Sequence, residues 1–598
     1  MNRTGAQPSS LLHRVETRLV LFGFAGVLAV WLGFIGLPVP AAQAVVKHGG
    51  YYVMLLTCGL FLHALWRIRG GWAGATEPLT RRQRWVVAAV IGLFSLLAVA
   101  AEPFRSKILN DEFVLQSTAY NLHYFREVAT MVRGYEVQGV FLSIDNYLDK
   151  RPYLYPFLVS LMHDLTGYRV LNAYLVNALL MPVTLFLAFV FGRQLSHWRG
   201  GLLAVGLLGS LPLLGQNATG SGMELLNTAM ILAGMLLAAG FLRAPDEDRL
   251  AAFLLGVVLL AQARYESALY AAPAALVAAA GCWRARRIIR PWQAVAVPLL
   301  LLPVALQNKV IAHSPLLWEL TDQASSRFSF DYFPKNLRGA GNFLFNTNPR
   351  LANSALLTLL GLAGLAWIIW RLARTRPRPD TAEPARLAFF CFSLAILANT
   401  LLVFCYYWSS FDDAMAARFS LPLHLLFAFG TVLMAAGLDR RWPATPVLLV
   451  LTVAFACGVS TTRFSSHLYS HLGIDEIEWT LRYVNARPPG PRLILTNRTS
   501  LPWLLQKTPA ILLDRSKLVA GRLQEQLREH NFAEILVLQS LRPTSPEGWH
   551  ELIMDDRLPA GFHLEQLAEK RFGTKLVRIS RLVAVDDSAV PPDPKALQ

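Results

Sequence analysis

The chain has 598 residues, of which 54% are hydrophobic and only 16% charged, and its mean hydropathy is +0.39. So few charges cannot solvate a water-soluble globule of this size. Many apolar runs also approach the roughly 20 residues that a helix needs to cross a bilayer, so the chain is expected to be a polytopic α-helical membrane protein. The formal charge of +17 does not point to a nucleic-acid partner, because the arginines sit in short loops between apolar runs, where the positive-inside rule puts them.

In chain order, spans are expected near 18–38, 50–66, 85–101, 168–192, 200–214, 223–242, 250–265, 267–282, 293–312, 352–370, 387–407, 420–437 and 445–461, about thirteen helices in all. The first run lacks a small-residue cleavage site and reads as a signal anchor. The run at 200–214 is short, and 250–282 is one apolar stretch split at Arg264, Tyr265 and Glu266. The apolar piece Tyr153 to Met162 is too short to span and is expected to lie along the membrane surface or pack under a loop. Cys58, Cys282, Cys391, Cys405 and Cys457 fall in or beside apolar segments without CxxC spacing, so neither a zinc site nor a disulfide framework is implied.

Placing the N-terminus in the cytoplasm puts the arginine clusters at 67–84, 193–199, 284–290, 371–386 and 440–441 on one side. The opposite face then receives 102–167, 215–222, 264–266, 313–351, 408–418 and everything after about 462. From about 465 the composition changes to that of a soluble domain. Short apolar runs at Arg492 to Thr496, Ala510 to Leu513 and Glu534 to Leu538 alternate with helical patterns such as Gly521 to His530, which predicts a small α/β domain. The tail from Val590 is expected to be disordered.

The charged residues of the outer face suggest the chemistry. Asn110, Asp111 and Glu112 precede a helical pattern carrying Leu115, Ala119, Leu122, Phe125 and Ala129, and they read either as an N-cap with an acidic first turn or as a mounted general base. Lys150 and Arg151, before Pro152, Tyr153, Leu154 and Tyr155, read either as snorkelling residues in an aromatic belt or as partners of a phosphate. Glu224 opens a span and Arg264 breaks another. Ionisable groups at membrane depth are costly and mark functional sites by default, the plainer reading being an ion pair of Arg264 with Glu266 or Glu224. Arg418 lies at the start of a late helix, within reach of the same anion or as a simple anchor.

The acidic pair opening the first large outer loop, KRPYLYP at its end, the acidic residue early in a later span, Arg264 at a helix break and ARFSLPLHLL near the end of the membrane region together carry a resemblance. In the order and spacing of these features over 85–440, the chain resembles the GT-C superfamily of polyprenyl-phosphate-sugar glycosyltransferases. The likeness is to the bacterial branch with lipid A aminoarabinose transferase and the protein O-mannosyltransferase-like enzymes. The resemblance implies a loop aspartate, here Asp111, as catalytic base or metal-site residue, and a basic-proline motif, here Lys150 and Pro152, near the donor phosphate. Arg151 and Tyr153 depart from that branch, which commonly has prolines or small residues there, and Glu224 stands where the family usually has Asp.

The expected organisation is a GT-C-like transmembrane catalytic domain at 1–464, with extracytoplasmic loops 102–167 and 313–351, and a soluble α/β extracytoplasmic domain at 465–598. The expected reaction is inverting transfer of a sugar from a polyprenyl-phosphate carrier to a hydroxyl of a lipid, glycan or protein. Asp111 would act as base, Glu112 and Glu224 would shape the site, and Lys150, Arg151, Arg264 and Arg418 would bind the donor phosphate. Carboxylates suit Mg²⁺ or Mn²⁺, although no ligand spacing demands a metal. Compact loops fit a bacterial inner membrane, with the membrane lipids as surroundings; Asn217-Ala-Thr and Asn497-Arg-Thr are glycosylation sequons if the source is eukaryotic. The competing class is a transporter or flippase of an anionic lipid, which inverted repeats would favour; none is legible in the sequence. The arginine distribution predicts that residues 102–150 and 465–598 lie on the same, extracytoplasmic side. Cysteines introduced at Ser143 and Ser516 should both be labelled from outside, and labelling of either from the cytoplasm alone would break this topology.

Overall fold

The computed structural model describes residues 9–71, 77–137, 140–313, 326–347, 352–375, 383–456, 471–542, 551–552, 558 and 561–589. The chain forms two compact units. One comprises Met1–Arg105, Lys150–Met162 and Leu171–Tyr469, and the other comprises Ser106–Asp149, His163–Val170 and Ser470–Gln598.

The first unit is helical and hydrophobic throughout. Among the described residues, ten of its helices are long and apolar enough to cross a membrane: Thr17–Gly36, Val39–Ile68, Arg81–Ala100, Leu171–Leu195, Glu224–Arg243, Tyr265–Ala285, Trp292–Ala312, Ala355–Arg374, Pro384–Phe404 and Ala417–Leu438. The protein is an integral membrane protein.

The expected thirteen spans differ from these ten for identifiable reasons. The run at 200–214 is a bent pair, Trp198–Gly209 and Pro212–Thr219, meeting at 71° and counting as an eleventh span only if taken together. Ser210 and Leu211 end the first helix ahead of Pro212, as expected of residues before a proline. The stretch expected to span at 250–265 is a helix of 15 residues, Glu247–Ala261, about 22 Å long at 1.5 Å per residue and short of the roughly 30 Å hydrocarbon layer. Its residues from Leu250 to Ala261 are buried on nearly all sides, so its hydrophobicity reflects packing against other helices. The last run is the 12-residue helix Ala444–Phe455, and 457–461 lie outside the described residues.

Helix packing in this unit relies on small residues. Ala355–Thr375 lies so close to Leu421–Leu438 that a Cβ on Gly364 would sit 2.5 Å from the carbonyl carbon of Gly430. Such close backbone approach is how helices associate where lipid offers no hydrophobic contrast.

The second unit is built on a mixed sheet. Its strands are β3 (Arg492–Thr496), β4 (Ala510–Leu512), β5 (Glu534–Arg542), β6 (Glu551–Leu552), β7 (Phe562–Phe572) and β8 (Lys575–Val585), preceded in the chain by a separate hairpin of β1 (Arg133–Val137) and β2 (Val140–Ile144). The order is β4-β3-β5-β8-β7, with β6 on the end of β5. β3 pairs in parallel with β4 and β5, while β5 with β8 and β8 with β7 are antiparallel. The expected α/β character is therefore present, extended by the long β7–β8 hairpin and by β1–β2, neither of which had been anticipated. The tail expected to be disordered, 590–598, and parts of the 313–351 loop lie outside the described residues.

The helix Leu109–Tyr124 belongs to this second unit, and its residues 112–122 are all buried, with no single apolar face. Phe113, Val114 and Tyr120 share a core with Val484, Ile494, Trp503, Leu504 and Leu536. Ser500 Oγ donates to the carbonyl of Val132 at 3.4 Å, and Tyr168 Oη to that of Leu505 at 2.6 Å. The segment that carries Leu109–Tyr124 and the C-terminal sheet thus fold around common apolar side chains. Ser516 is fully buried, so the exposed Glu525 replaces it as the labelling position. Deleting 471–598 should strip the core partners from Leu109–Tyr124. Limited trypsin digestion should then cut at Arg126 and Arg133 faster than in the full chain; an unchanged rate would show that the loop holds its structure alone.

Candidate active site

In the helical unit the sequence-predicted charges Glu224, Arg264 and Arg418 come together. Glu224 is the first residue of its helix, preceded by the Gly220 to Gly222 turn whose carbonyls, Gly220 O and Gly222 O, each accept from Asn177 Nδ2 at 2.9 Å. A carboxylate at a helix N-terminus is favoured by the exposed amides there. Arg264 is extended, between the end of Glu247–Ala261 and the 3₁₀ turn Tyr265–Tyr270, and Ser267 Oγ in that turn donates to Asn227 Oδ1 at 2.6 Å. Arg418 sits in the turn Ala417–Ser420 ahead of the helix Leu421–Leu438.

Glu224 Oε1 accepts from Arg264 Nη1 and lies as close to Arg418 Nη1, 3.0 Å in each case. Arg264 Nε reaches both Glu266 oxygens at 3.1 and 3.0 Å. Phe419 lies 4.7 Å from the Arg264 guanidinium carbon and 5.3 Å from that of Arg418, measured to the ring centre. Glu224 is 1% exposed and both arginines 5%. Two carboxylates thus balance two guanidinium groups, and both ion pairs offered as the plainer reading of Arg264 are present. Glu224 Oε2 is buried without a hydrogen-bond partner among the described residues.

The same helix break builds a second feature. A pocket of about 320 Å³ is lined by Lys150, Pro152, Tyr153, Ala261, Gln262, Tyr265, Val304, Gln307, Asn308 and Ile311. Residues 262 and 265 line this pocket while 264 and 266 enter the ion network. Gln307 Nε2 donates to the Arg151 carbonyl at 2.9 Å, pinning the basic-proline segment to the helix Leu302–Ala312. Tyr153 Oη and Gln262 Oε1 are buried without partners among the described residues, so the pocket holds a donor and an acceptor besides Lys150. Tyr153 and Tyr155 are both buried, and Tyr155 Oη donates to Ala173 O at 2.7 Å. They form no aromatic belt.

Sequence reasoning missed Gln262, Gln307 and Asn177. The legible signal was an amide inside an apolar run, costly to bury without a partner, and it was passed over in favour of full charges.

Asp111 and Glu112 lie in the second unit. The helix starts at Leu109 with Ile108 as N-cap and no side-chain cap, so neither acid is the cap; Asp111 is the third helical residue. Asp111 is partly exposed, whereas Glu112 is buried and its Oε2 accepts the Lys107 amide at 3.0 Å, closing the turn before the helix. Among the described residues no three His, Cys, Asp or Glu side chains are grouped to hold a metal. The acids present thus form no oxygen-rich set for Mg²⁺ or Mn²⁺. Asn217 is buried with its amide on Leu213 O, and Asn497 is bonded to the Ser540 backbone, so both sequons are tied into the fold.

The Glu224 network predicts an asymmetry. Glu224→Gln leaves two buried guanidinium groups short of one negative charge and should cost roughly 3–5 kcal/mol. Arg418→Met leaves Glu224 with Arg264 and should cost less. Thermal unfolding of both variants in the same detergent checks the order, and equal or reversed losses would contradict it.

Residues 150–307 match the family model described as dolichyl-phosphate-mannose-protein mannosyltransferase. The match bears out the resemblance drawn from the sequence. It contains Lys150, Arg151, Glu224 and Arg264, while Asp111, Glu112 and Arg418 lie outside it. Among solved structures, ArnT from Cupriavidus metallidurans in the apo state is similar at TM-score 0.44 and 12% identity, over 86% of this chain and 100% of that one. The apo oligosaccharyltransferase of Archaeoglobus fulgidus is similar at TM-score 0.45 and 10% identity, over 77% and 70%. Arabinosyltransferase EmbB from Mycobacterium smegmatis is similar at TM-score 0.30 and 15% identity, over 67% and 44%. No curated protein matches the sequence.

Proposed function

We propose that this protein is a membrane glycosyltransferase that moves a sugar, with inversion, from a polyprenyl-phosphate carrier to a hydroxyl of a lipid, glycan or protein on the extracytoplasmic side of a bacterial inner membrane. The Lys150 pocket carries the reading. It sets an ammonium beside an unpartnered phenol and amide oxygen within a unit otherwise made of apolar helices. The matched family is named for a mannosyl donor held on a lipid phosphate, and a phosphate joined to a sugar needs such a combination of cation and neutral polar groups.

In this reading the acceptor oxygen attacks the anomeric carbon, and the bond from that carbon to the phosphate oxygen breaks. The phosphate leaves with the bonding pair, and the Asp111 carboxylate takes the acceptor proton. Lys150, with Arg151 beside it in the chain, offsets the charge that develops on the phosphate, an effect strengthened where water is excluded. Arg264 and Arg418 share Glu224 and act as positioning residues. They hold the break that presents Gln262 and Tyr265 to the pocket, and Glu112 fixes the turn that carries Asp111.

Asp111→Asn keeps the size of the side chain but removes proton acceptance. Transfer should fall by roughly the 10²- to 10⁴-fold of a lost general base, with donor affinity little changed. Lys150→Ala should weaken donor binding and turnover together. Radiolabelled transfer from a polyprenyl-phosphate sugar, run alongside donor binding, reads both effects; near-normal transfer by folded Asp111→Asn protein would remove the catalytic assignment.

A further inference from the structure

The 12-residue helix Phe333–Leu344 of the helical unit plays no part in the transfer reading, and it is fastened to the ends of membrane helices. The backbone just ahead of it pairs with the chain leaving Pro384–Phe404, as Ser329 N donates to Cys405 O at 2.9 Å and Tyr407 N to Arg327 O at 3.0 Å. Asn336, 1% exposed, donates to the carbonyls of Phe404 and Tyr406 at 2.9 and 2.8 Å. Past the helix, Asn353 Nδ2 reaches the carbonyls of Leu344 and Asn346 at 3.3 and 2.7 Å, just before the span Ala355–Arg374 begins. Gly339 lies against Ser410, with no room for a Cβ, in the segment that leads to the span Ala417–Leu438. These three spans follow one another in the chain, so the start of the first, the end of the second and the start of the third open on one membrane face. An element tied to all three lies where the spans leave the hydrocarbon.

The helix has three lengthwise faces. Asn336, Gly339, Ala340 and Phe343 are buried and hold it down. Phe330, Pro334, Leu337 and Phe345 recur at helical spacing on a second face and are exposed, Phe330 at 76%, Leu337 at 49% and Phe345 at 52%. Lys335, Arg338 and Asn342 lie on the flank between these two faces and are also exposed. Among the described residues neither cation forms an ion pair. The acids alongside are already held, Asp331 by Ser329 Oγ at 2.7 Å, and Asp412 by Ser410 Oγ at 2.6 Å and Asn342 Nδ2 at 3.2 Å. An apolar stripe beside two uncommitted cations thus faces outward at the level of the span ends.

We infer that Phe333–Leu344 is an in-plane membrane helix. Its stripe from Phe330 to Phe345 is seated among the acyl chains of one leaflet, and Lys335 and Arg338 meet the phosphates of the phospholipids around it. Lipid is the occupant that fits, because at this depth it offers an apolar layer and, a few ångströms further out, a layer of anions. Long cationic side chains reach from an apolar surface to such headgroups, and charge-assisted contacts to phosphate are strong. Part of the 313–351 segment expected to be an outer loop is therefore a piece of the membrane surface. The inference stands apart from the transfer reaction and is tested without it.

The full-length protein in phosphatidylglycerol nanodiscs is spin-labelled at Leu337→Cys, Phe345→Cys, Lys335→Cys or Asn342→Cys, one at a time, with the unsubstituted chain giving the background of its own cysteines. Collisions of each label with oxygen and with a water-soluble nickel chelate are compared. Labels at 337 and 345 should collide several-fold more with oxygen and lie roughly 5–10 Å below the phosphates. Labels at 335 and 342 should favour the nickel chelate and lie at the phosphate level. In the unaltered protein, a phospholipid carrying a diazirine near the glycerol end of its acyl chain should cross-link to the peptide that contains 330–345. Nickel-dominated collisions at 337 and 345 would place the stripe in water, and shielding of both labels from both reagents would place it under a protein partner or a second copy of this chain. Either result, or absence of the cross-link in the unaltered protein, would overturn the inference.

Discussion

The carboxylate of Glu224, buried at the start of a membrane helix, has to be neutralised where it stands. Moving a lone carboxylate out of water costs several kcal/mol, and attraction to a partner offsets this only when the geometry is close. Here two guanidinium groups converge on one oxygen at 3.0 Å, and they come from segments 40 and 194 residues further along the chain. One ionic contact therefore fixes three backbone positions: the turn before the helix Glu224–Arg243, the break after Ala261, and the turn before Leu421. Glu266 supplies the fourth charge, so the network closes without net charge in an apolar setting.

That closure explains why the chain can interrupt a long apolar stretch at 262–266. A helix broken inside a membrane exposes amides and carbonyls that need new partners. The structure supplies them locally, as the amides of Gln262, Ala263 and Ser267 donate to the carbonyls of Leu259, Leu260 and Arg264. The break then serves two purposes, because alternate residues point into the ion network and into the Lys150 pocket. The charged residues stabilise the irregular backbone, and the irregular backbone presents the neutral polar groups.

The second unit follows a different rule. Its helix Leu109–Tyr124 completes the apolar interior of the C-terminal sheet through Phe113, Val114 and Tyr120. Asp111 is thus carried on a helix anchored in that core, and the adjacent buried Glu112 accepts from the Lys107 amide. A mount of this kind keeps a carboxylate in one place.

The sequence by itself determined the membrane class, nine long spans to within a few residues, the three parallel strands of the C-terminal sheet, and the ionisable residues at membrane depth. Hydropathy over roughly 20 residues and the cost of buried charge are local properties that any reader of the chain can sum. It misjudged 250–265, because whether a hydrophobic helix spans or packs inside depends on its neighbours. It offered an N-cap as the plainer reading of the stretch Asn110 to Glu112, although the helix begins at Leu109 and leaves both acids in its first turn, and it saw neither hairpin. Only the tertiary structure decided that Arg264 and Arg418 share Glu224, that Gln262 and Gln307 face Lys150, and that a loop near residue 110 folds with strands near 494 and 536. Those pairings join residues far apart in the chain, and no local periodicity or composition encodes which distant partner a buried group will meet.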